Sequence, residues 1–422
     1  MHRRSVLKAA LAATAFGGLT ARQARAAAPA KVVVVGGGYG GATAARYLRT
    51  WGRGAVDVTL VEPDAAFVSC PLSNLVVAGY RQMADITLSY GTLASRHGVR
   101  VIRDTATAID AGKRTVRLAG GTVLPYDRLV LSPGVEMQTS AIPGLAAPGG
   151  DQIVHAWKAG PQTDTLRRQL AAMRDGGTFA ITIPLAPYRC PPGPYERACL
   201  VADYLKQHKP RSKVLVFDAN PDITSKGALF RQVWNTRYKG MIEYRPQHET
   251  VDVDPATRTL RFDVQDDERA DVVNLLPPQR AGAIAVGAGL ATANGRWCEV
   301  DFQTMASTVA PEIHVLGDAV QIAPLMPKSG TMANQHGKVA AAAVLQLLAG
   351  RQPDPMPLYT NTCYSFTSST EAIHIASVHR YDPADRTMLT VPGAGGLSAA
   401  PSVLEGQYGV AWARSIWADM LG

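Results

Sequence analysis

The sequence predicts an α/β protein made of two doubly wound units and a small C-terminal domain, and three observations carry that expectation. Near the start a run of β-branched residues enters a glycine-rich turn. In mid-chain a second strand–turn–helix unit follows, with prolines where the glycines stood. Later a strand closing on Gly-Asp returns the chain to the first unit.

The first unit is Lys31 to Gly41, KVVVVGGGYGG. Val32 to Val35 suit a strand covered on both faces, and Gly36, Gly38 and Gly41 complete G-x-G-x-x-G. Gly36 permits the tight turn, Gly38 lets the backbone approach a pyrophosphate, and Gly41 lets the next helix lie close to the strand. That helix, read as Gly41 to Trp51, points its free N–H groups at the phosphates. A second strand, Val56 to Val61, ends on Glu62, whose carboxylate can accept the ribose hydroxyls of an adenosine. The unit therefore reads as a dinucleotide-binding, Rossmann-like domain.

Residues 1–26 stand apart from the fold. Arg3 and Arg4 precede an alanine-rich apolar run to Leu19, and Ala24-Arg25-Ala26 offers a small-residue cleavage site. The run is shorter than the about 20 residues that span a bilayer. The arginine pair resembles a twin-arginine export signal, so a periplasmic mature chain is expected. The formal charge of +9, less the five cations Arg3, Arg4, Lys8, Arg22 and Arg25, leaves +4 for that chain. A balance so mild, without a basic run, argues against a nucleic-acid partner. No later segment is long and apolar enough to span a membrane, and no metal site is read. The remaining chain of about 396 residues exceeds one hydrophobic core, so two or three domains are expected.

The first domain is assigned to 27–151 and 283–350. Within it lies Phe67-Val68-Ser69-Cys70-Pro71-Leu72-Ser73-Asn74, where Cys70 is either a buried small hydrophobe or a group beside the far end of an extended flavin. A strand at Val99 to Arg103, a hairpin (Ala106 to Asp110 with Thr115 to Leu118) and a run from Tyr126 to Gly134, a strand ending in a turn, follow. The second domain, 152–282, opens with a helix at Gln162 to Asp175 and a strand at Thr178 to Ile183. Its turn, Pro184 to Pro194, holds five prolines, which have no N–H to donate, and cannot cradle a pyrophosphate. The next strand, Lys213 to Phe217, still ends on Asp218. A nicotinamide-domain architecture without its phosphate site makes NAD(P)H an unsuitable reductant.

The returning strand, Ile313 to Leu316, closes on Gly317-Asp318. An aspartate in that place can accept a ribityl hydroxyl, which selects FAD over NAD at the first site. Lys328 to His336 opens an alanine-rich helix whose positive end can face the pyrimidine edge of reduced flavin. Lys328 either assists there or is a solvated cation. Residues 351–422 read as a small interface domain carrying Asn361-Thr362-Cys363-Tyr364-Ser365. Cys190 and Cys363 are placed in turn-rich loops, Cys199 in a helix and Cys298 after a Gly-Arg-Trp turn. Spacing alone leaves a structural and a catalytic disulfide equally open for any pair, and no Cys-x-x-Cys-His exists to attach haem.

Taken together, the loop Tyr188 to Glu196, the Phe67 to Asn74 segment and Asn361 to Ser365 resemble the flavoprotein subunit of flavocytochrome c sulfide dehydrogenase, over nearly the whole mature chain. The resemblance implies FAD held covalently by Cys70, a redox-active Cys190–Cys363 disulfide beside the flavin and Glu196 as neighbouring acid/base. It also implies hydrosulfide as substrate and a separate c-type cytochrome as electron acceptor and partner. For Glu196 the plain alternative is a first-turn carboxylate on the helix dipole. Cys199 and Cys298 receive no role. Two other readings are a sulfide:quinone oxidoreductase, which would need a stronger membrane-binding end than Ala411 to Leu421, and a non-catalytic flavoprotein partner.

Overall fold

Seven strands form the first sheet, in the order Val300–Asp301, Ala306–Ser307, Ile313–Val315, Arg128–Leu131, Ala30–Val35, Val56–Val61 and Arg100–Ile102. This is a computed structural model, and it describes residues 28–422; the export signal read in residues 1–26 lies outside the described residues. The five strands from Ile313 to Ile102 are parallel, with two short antiparallel strands at one edge. Val32 to Val34 are at most 3 % exposed, which is why this strand carries no polar alternation.

The helix Tyr39–Gly52 begins two residues before the expected start, inside the glycine turn. It lies against the helix Gly330–Leu348, and their backbones approach closely: a Cβ on Gly337 would stand 2.5 Å from the Gly40 carbonyl. The alanines of both helices serve this contact, since larger side chains would hold the backbones apart.

The second sheet is four parallel strands, Ile242–Pro246, Lys213–Asp218, Thr178–Ile183 and Val272–Leu275, with the helices Pro161–Ala172, Gly193–His208 and Gly227–Thr236 around it. The chain is thus two Rossmann-type layers followed by a C-terminal unit. That unit is an antiparallel sheet of Leu358–Phe366, Ala372–Asp382 and Thr387–Leu397 and a closing helix, Val403–Leu421.

Cys363 lies inside the strand Leu358–Phe366, where a turn-rich loop was expected. Tyr359, Asn361 and Ser365 are buried in this run, and the Asn and Thr that read as turn residues are accommodated by pairing all along Ala372–Asp382. The closing helix is tied to the first domain through Asp419, which accepts from Tyr47 Oη at 2.5 Å and Asn334 Nδ2 at 2.8 Å and pairs with Lys338 at 2.9 Å. Among the described residues no helix is long and apolar enough to cross a membrane.

Candidate active site

One cavity of about 460 Å³ opens between the three units. Gly36, Gly38, Glu62, Cys70, Gly317 and Asp318 line it from the first domain, Cys190 and Glu196 from the second, and Cys363 from the C-terminal sheet. Of the expected catalytic and cofactor-binding residues, Gly41 and Lys328 stand outside its lining.

The three glycines do three different things. Gly36 has φ +94°, and a Cβ there would meet the Ser132 carbonyl at 2.2 Å. Gly41 would drive a Cβ to 1.9 Å from the Gly36 carbonyl, so it sets the closeness of helix and strand. Gly38 has nothing within 4 Å of that position, and its missing side chain leaves free space in the cavity. Glu62 reaches the same turn, accepting from Gly37 N at 2.6 Å.

Asp318 lines the same cavity, its Oδ1 buried and without a partner among the described residues. Burial raises its pKa, against the pull of Arg189 and Lys328. Lys328, expected beside the flavin, is instead buried below this loop. Its Nζ donates to the carbonyls of Asp318 (2.8 Å) and Val320 (2.5 Å) and lies 3.6 Å from the Trp297 ring centroid. Desolvation there lowers its pKa to about 7, the field of Asp318 opposing. Lys328 therefore shapes the Gly317–Asp318 turn from behind, and its own carbonyl accepts from Cys190 N at 2.9 Å.

Cys70 Sγ faces Arg189, whose Nη2 is 3.2 Å away, and receives Ala159 N at 3.5 Å. Cys190 has φ +58°, and its thiol lies over the start of the helix Gly193–His208: a Cβ on Gly193 would be 2.9 Å from the sulfur. All five cysteines are free thiols here, so the pairing of Cys190 with Cys363 is not realised as a bond, yet each lies in the other's field. Burial raises the pKa of both thiols, that of Cys190 well above the usual range; Arg189 and Lys226 act in the opposite sense on Cys190, and Lys226 on Cys363.

Glu196 is 9 % exposed; its carboxylate accepts from Phe366 N at 2.9 Å and Asn74 Nδ2 at 3.0 Å. Burial raises its pKa despite those two donors. The plain alternative, a first-turn carboxylate serving its own helix, does not account for partners drawn from the other two units.

Several residues at this site escaped the sequence reading. Arg197, 1 % exposed, donates to Asn74 Oδ1, Asn274 Oδ1 and the carbonyls of His155 and Ala156, joining the first two domains behind Glu196. Leaving such partners unpaired costs about 1–3 kcal/mol per group. The signal was an adjacent Glu-Arg pair in the otherwise apolar first half of that helix. Arg189 lay within the cysteine loop but was not separated from it. Lys226, buried against the Cys363 strand, gave no signal, because its partners stand 137 and 139 residues further on.

Comparison with known proteins adds the lineage. Residues 163–277 match the family described as sulfide dehydrogenase [flavocytochrome c] flavoprotein chain, central, and 355–421 the flavocytochrome c sulphide dehydrogenase, flavin-binding family; 30–173 match pyridine nucleotide-disulphide oxidoreductase. A flavocytochrome c sulfide dehydrogenase flavoprotein chain from Chlorobaculum thiosulfatiphilum is 61% identical over 46 residues, which are 11% of this chain and 94% of that one. The chain belongs to this flavoprotein family. A mitochondrial sulfide:quinone oxidoreductase of Dictyostelium discoideum is 23% identical over 300 residues, covering 68% of this chain and 65% of its own length. The fold is shared with the solved sulfide:quinone oxidoreductase of Aquifex aeolicus at a TM-score of 0.75 and 18% identity, over 93% and 91% of the two chains.

The cavity fits the flavin that the family's binding domain implies. Gly38 leaves room for a phosphate, Glu62 stands at the ribose end, and Asp318 Oδ1 is a buried acceptor lacking a donor. The family's C-terminal unit contributes Trp412 and Gly409 to the wall, and Trp417 donates to Tyr39 Oη at 3.1 Å. Trp417 is thus buried against the first domain, and Trp412 is half-buried in the cavity wall.

Proposed function

We propose that this chain is the FAD-carrying subunit of a periplasmic sulfide dehydrogenase, exported by the twin-arginine pathway, that oxidises hydrosulfide to sulfur or polysulfide and passes the electrons to a separate c-type cytochrome. The observation that carries this reading is the convergence of Cys70, Cys190, Cys363 and Glu196, scattered through the sequence, on one cavity. Cys70 would hold FAD through a thioether to the 8α-methyl group. The bound flavin would supply a two-electron acceptor able to release electrons singly.

The residues of the chain do the rest. With Cys190 and Cys363 joined as a disulfide, hydrosulfide attacks one sulfur, the S–S bond breaks, and one cysteine carries a persulfide while the other leaves as thiolate. Glu196, whose burial favours the protonated carboxyl, is placed to give a proton to a departing sulfur and to regain it afterwards. A second sulfur nucleophile discharges the persulfide and leaves both cysteines reduced; a bound flavin would supply the two-electron oxidant that re-forms their disulfide. Nicotinamide is an unsuitable reductant: the Pro184–Pro194 turn has too few N–H groups, and Asp218 accepts from Tyr195 Oη at 2.7 Å and Tyr244 Oη at 3.0 Å.

The test is anaerobic mixing with hydrosulfide while following flavin absorbance, with and without cytochrome c. Bleaching by sulfide and recovery with cytochrome are expected; no bleaching rejects the reading. The relatives named sulfide:quinone oxidoreductase favour a second acceptor. Recovery with a soluble quinone, and none with cytochrome c, would establish it.

A further inference from the structure

We propose that Lys226 is the fixed counter-cation of the cysteine pair, holding the Cys363 strand beside the Cys190 loop and neutralising the thiolate set free when the pair opens. The inference deepens the sulfide-oxidising reading and rests on it for the chemistry, though its test does not. Lys226 is 5 % exposed and precedes the helix Gly227–Thr236 with φ +58°. Its Nζ donates to the Cys363 carbonyl and to Ser365 Oγ, both at 2.8 Å.

Three features make this an unfavourable place for a lysine. The ammonium is desolvated, which lowers its pKa. The residue itself caps the positive end of a helix. Its backbone is in the left-handed region, which a β-carbon disfavours and which persists where surroundings over-determine it. Among the described residues no carboxylate lies within ion-pair distance of it.

The groups in its field are Cys363, Glu196, Cys190 and Glu405. Glu196 is engaged by Phe366 N and Asn74, and its burial favours the uncharged form. Glu405 is engaged by Ser398 Oγ and His374. The anion left for the ammonium to balance is a cysteine thiolate, and the strand it grips is the one that carries Cys363. When hydrosulfide opens the disulfide at Cys190, the electron pair of the broken bond moves to Cys363 sulfur, and the resulting negative charge has a cation built in beside it.

The experiment reads thiol ionisation directly, independent of turnover. The dithiol form of the wild type, Lys226→Met and Lys226→Arg is alkylated with iodoacetamide from pH 6 to 10, and the Cys190 and Cys363 peptides are quantified by mass spectrometry. At pH 7.5 the Cys363 rate is expected to fall about tenfold or more in Lys226→Met, one pKa unit being a tenfold change in thiolate, and to stay near wild type in Lys226→Arg. An unchanged Cys363 profile in Lys226→Met overturns the proposal. If that variant does not fold, Ser365→Ala removes one of the two acceptors that hold the ammonium; a smaller loss in the same direction is expected, and no change again overturns it. Should the wild type show no sulfide-driven flavin bleaching, the sulfide reading fails while the alkylation result stands on its own.

Discussion

Two strand–turn–helix units of the same topology sit on either side of the cavity, and their turns have opposite chemistry. In the first, Ala30–Val35 runs through Gly36, Gly38 and Gly41 into Tyr39–Gly52. In the second, Thr178–Ile183 runs through Pro184 to Pro192 into Gly193–His208. One turn presents backbone N–H groups to a helix N-terminus and leaves space at Gly38; the other removes N–H groups and places Cys190 over the helix start. The acids that end the next strands diverge likewise. Glu62 lines the cavity, whereas Asp218 is fully buried under two tyrosine hydroxyls and Asn220. A shared scaffold thus supports a nucleotide site or a thiol site according to which turn residues can donate.

The largest expected effect breaks the second turn. Cys190→Ser and Cys363→Ser should each fold and keep FAD, yet lose sulfide-driven flavin reduction by orders of magnitude in stopped-flow traces. Cys199→Ser and Cys298→Ser should stay near wild type, since both thiols are buried away from the cavity and burial pushes Cys298 up to about 12. Next comes the attachment at the first turn's side of the cavity. Cys70→Ala should convert FAD from a form that precipitates with acid-denatured protein to one left in the supernatant, read by its yellow colour.

Substitution within the glycine turn separates folding from binding. Gly41→Ala should lower stability by about 1–3 kcal/mol in denaturant melts, as overpacking does, because its Cβ has no room beside Gly36. Gly38→Val should leave the melting of cofactor-free protein nearly unchanged and reduce FAD uptake, since only the cavity space is filled.

A smaller effect follows from the two buried histidines of the first domain. Burial lowers His314 to about 4 and His336 to about 3. Both folded values lie below the unfolded value near 6.5, so the unfolded chain binds more protons in acid. Their contribution is intact above pH 6.5 and is lost as pH falls toward 4, by about 1.4 kcal/mol per unit for each histidine that must stay neutral. Thermal melts between pH 7.5 and 4.5, with His336→Gln for comparison, check the slope. The smallest expected effect is none: NADH and NADPH at micromolar concentration should not bleach the flavin, and bleaching by either would mean that the Pro184–Pro194 turn still admits a nucleotide.

The strands, the glycine turn, the proline turn and the Gly317–Asp318 closure were legible because each is dictated by neighbours in sequence. β-Branched runs make buried strands, and glycine or proline decides locally whether a turn can donate N–H groups. The placement of Cys363 was misread for a related reason. Its Asn-Thr-Cys-Tyr-Ser run has turn-like composition, and pairing with Ala372–Asp382, a non-local interaction, makes it a strand. Lys328 reads as a cation at a helix start, yet the fold buries it under Asp318 because two carbonyls and the Trp297 ring replace its water. Lys226, Arg197 and Asn74 gain their meaning from partners contributed by other units of the chain, and no local pattern encodes such a meeting. Turn chemistry is written within a few residues; a buried charge is tolerated only where distant segments supply its partners, and it is the packing of the three units that brings those segments together.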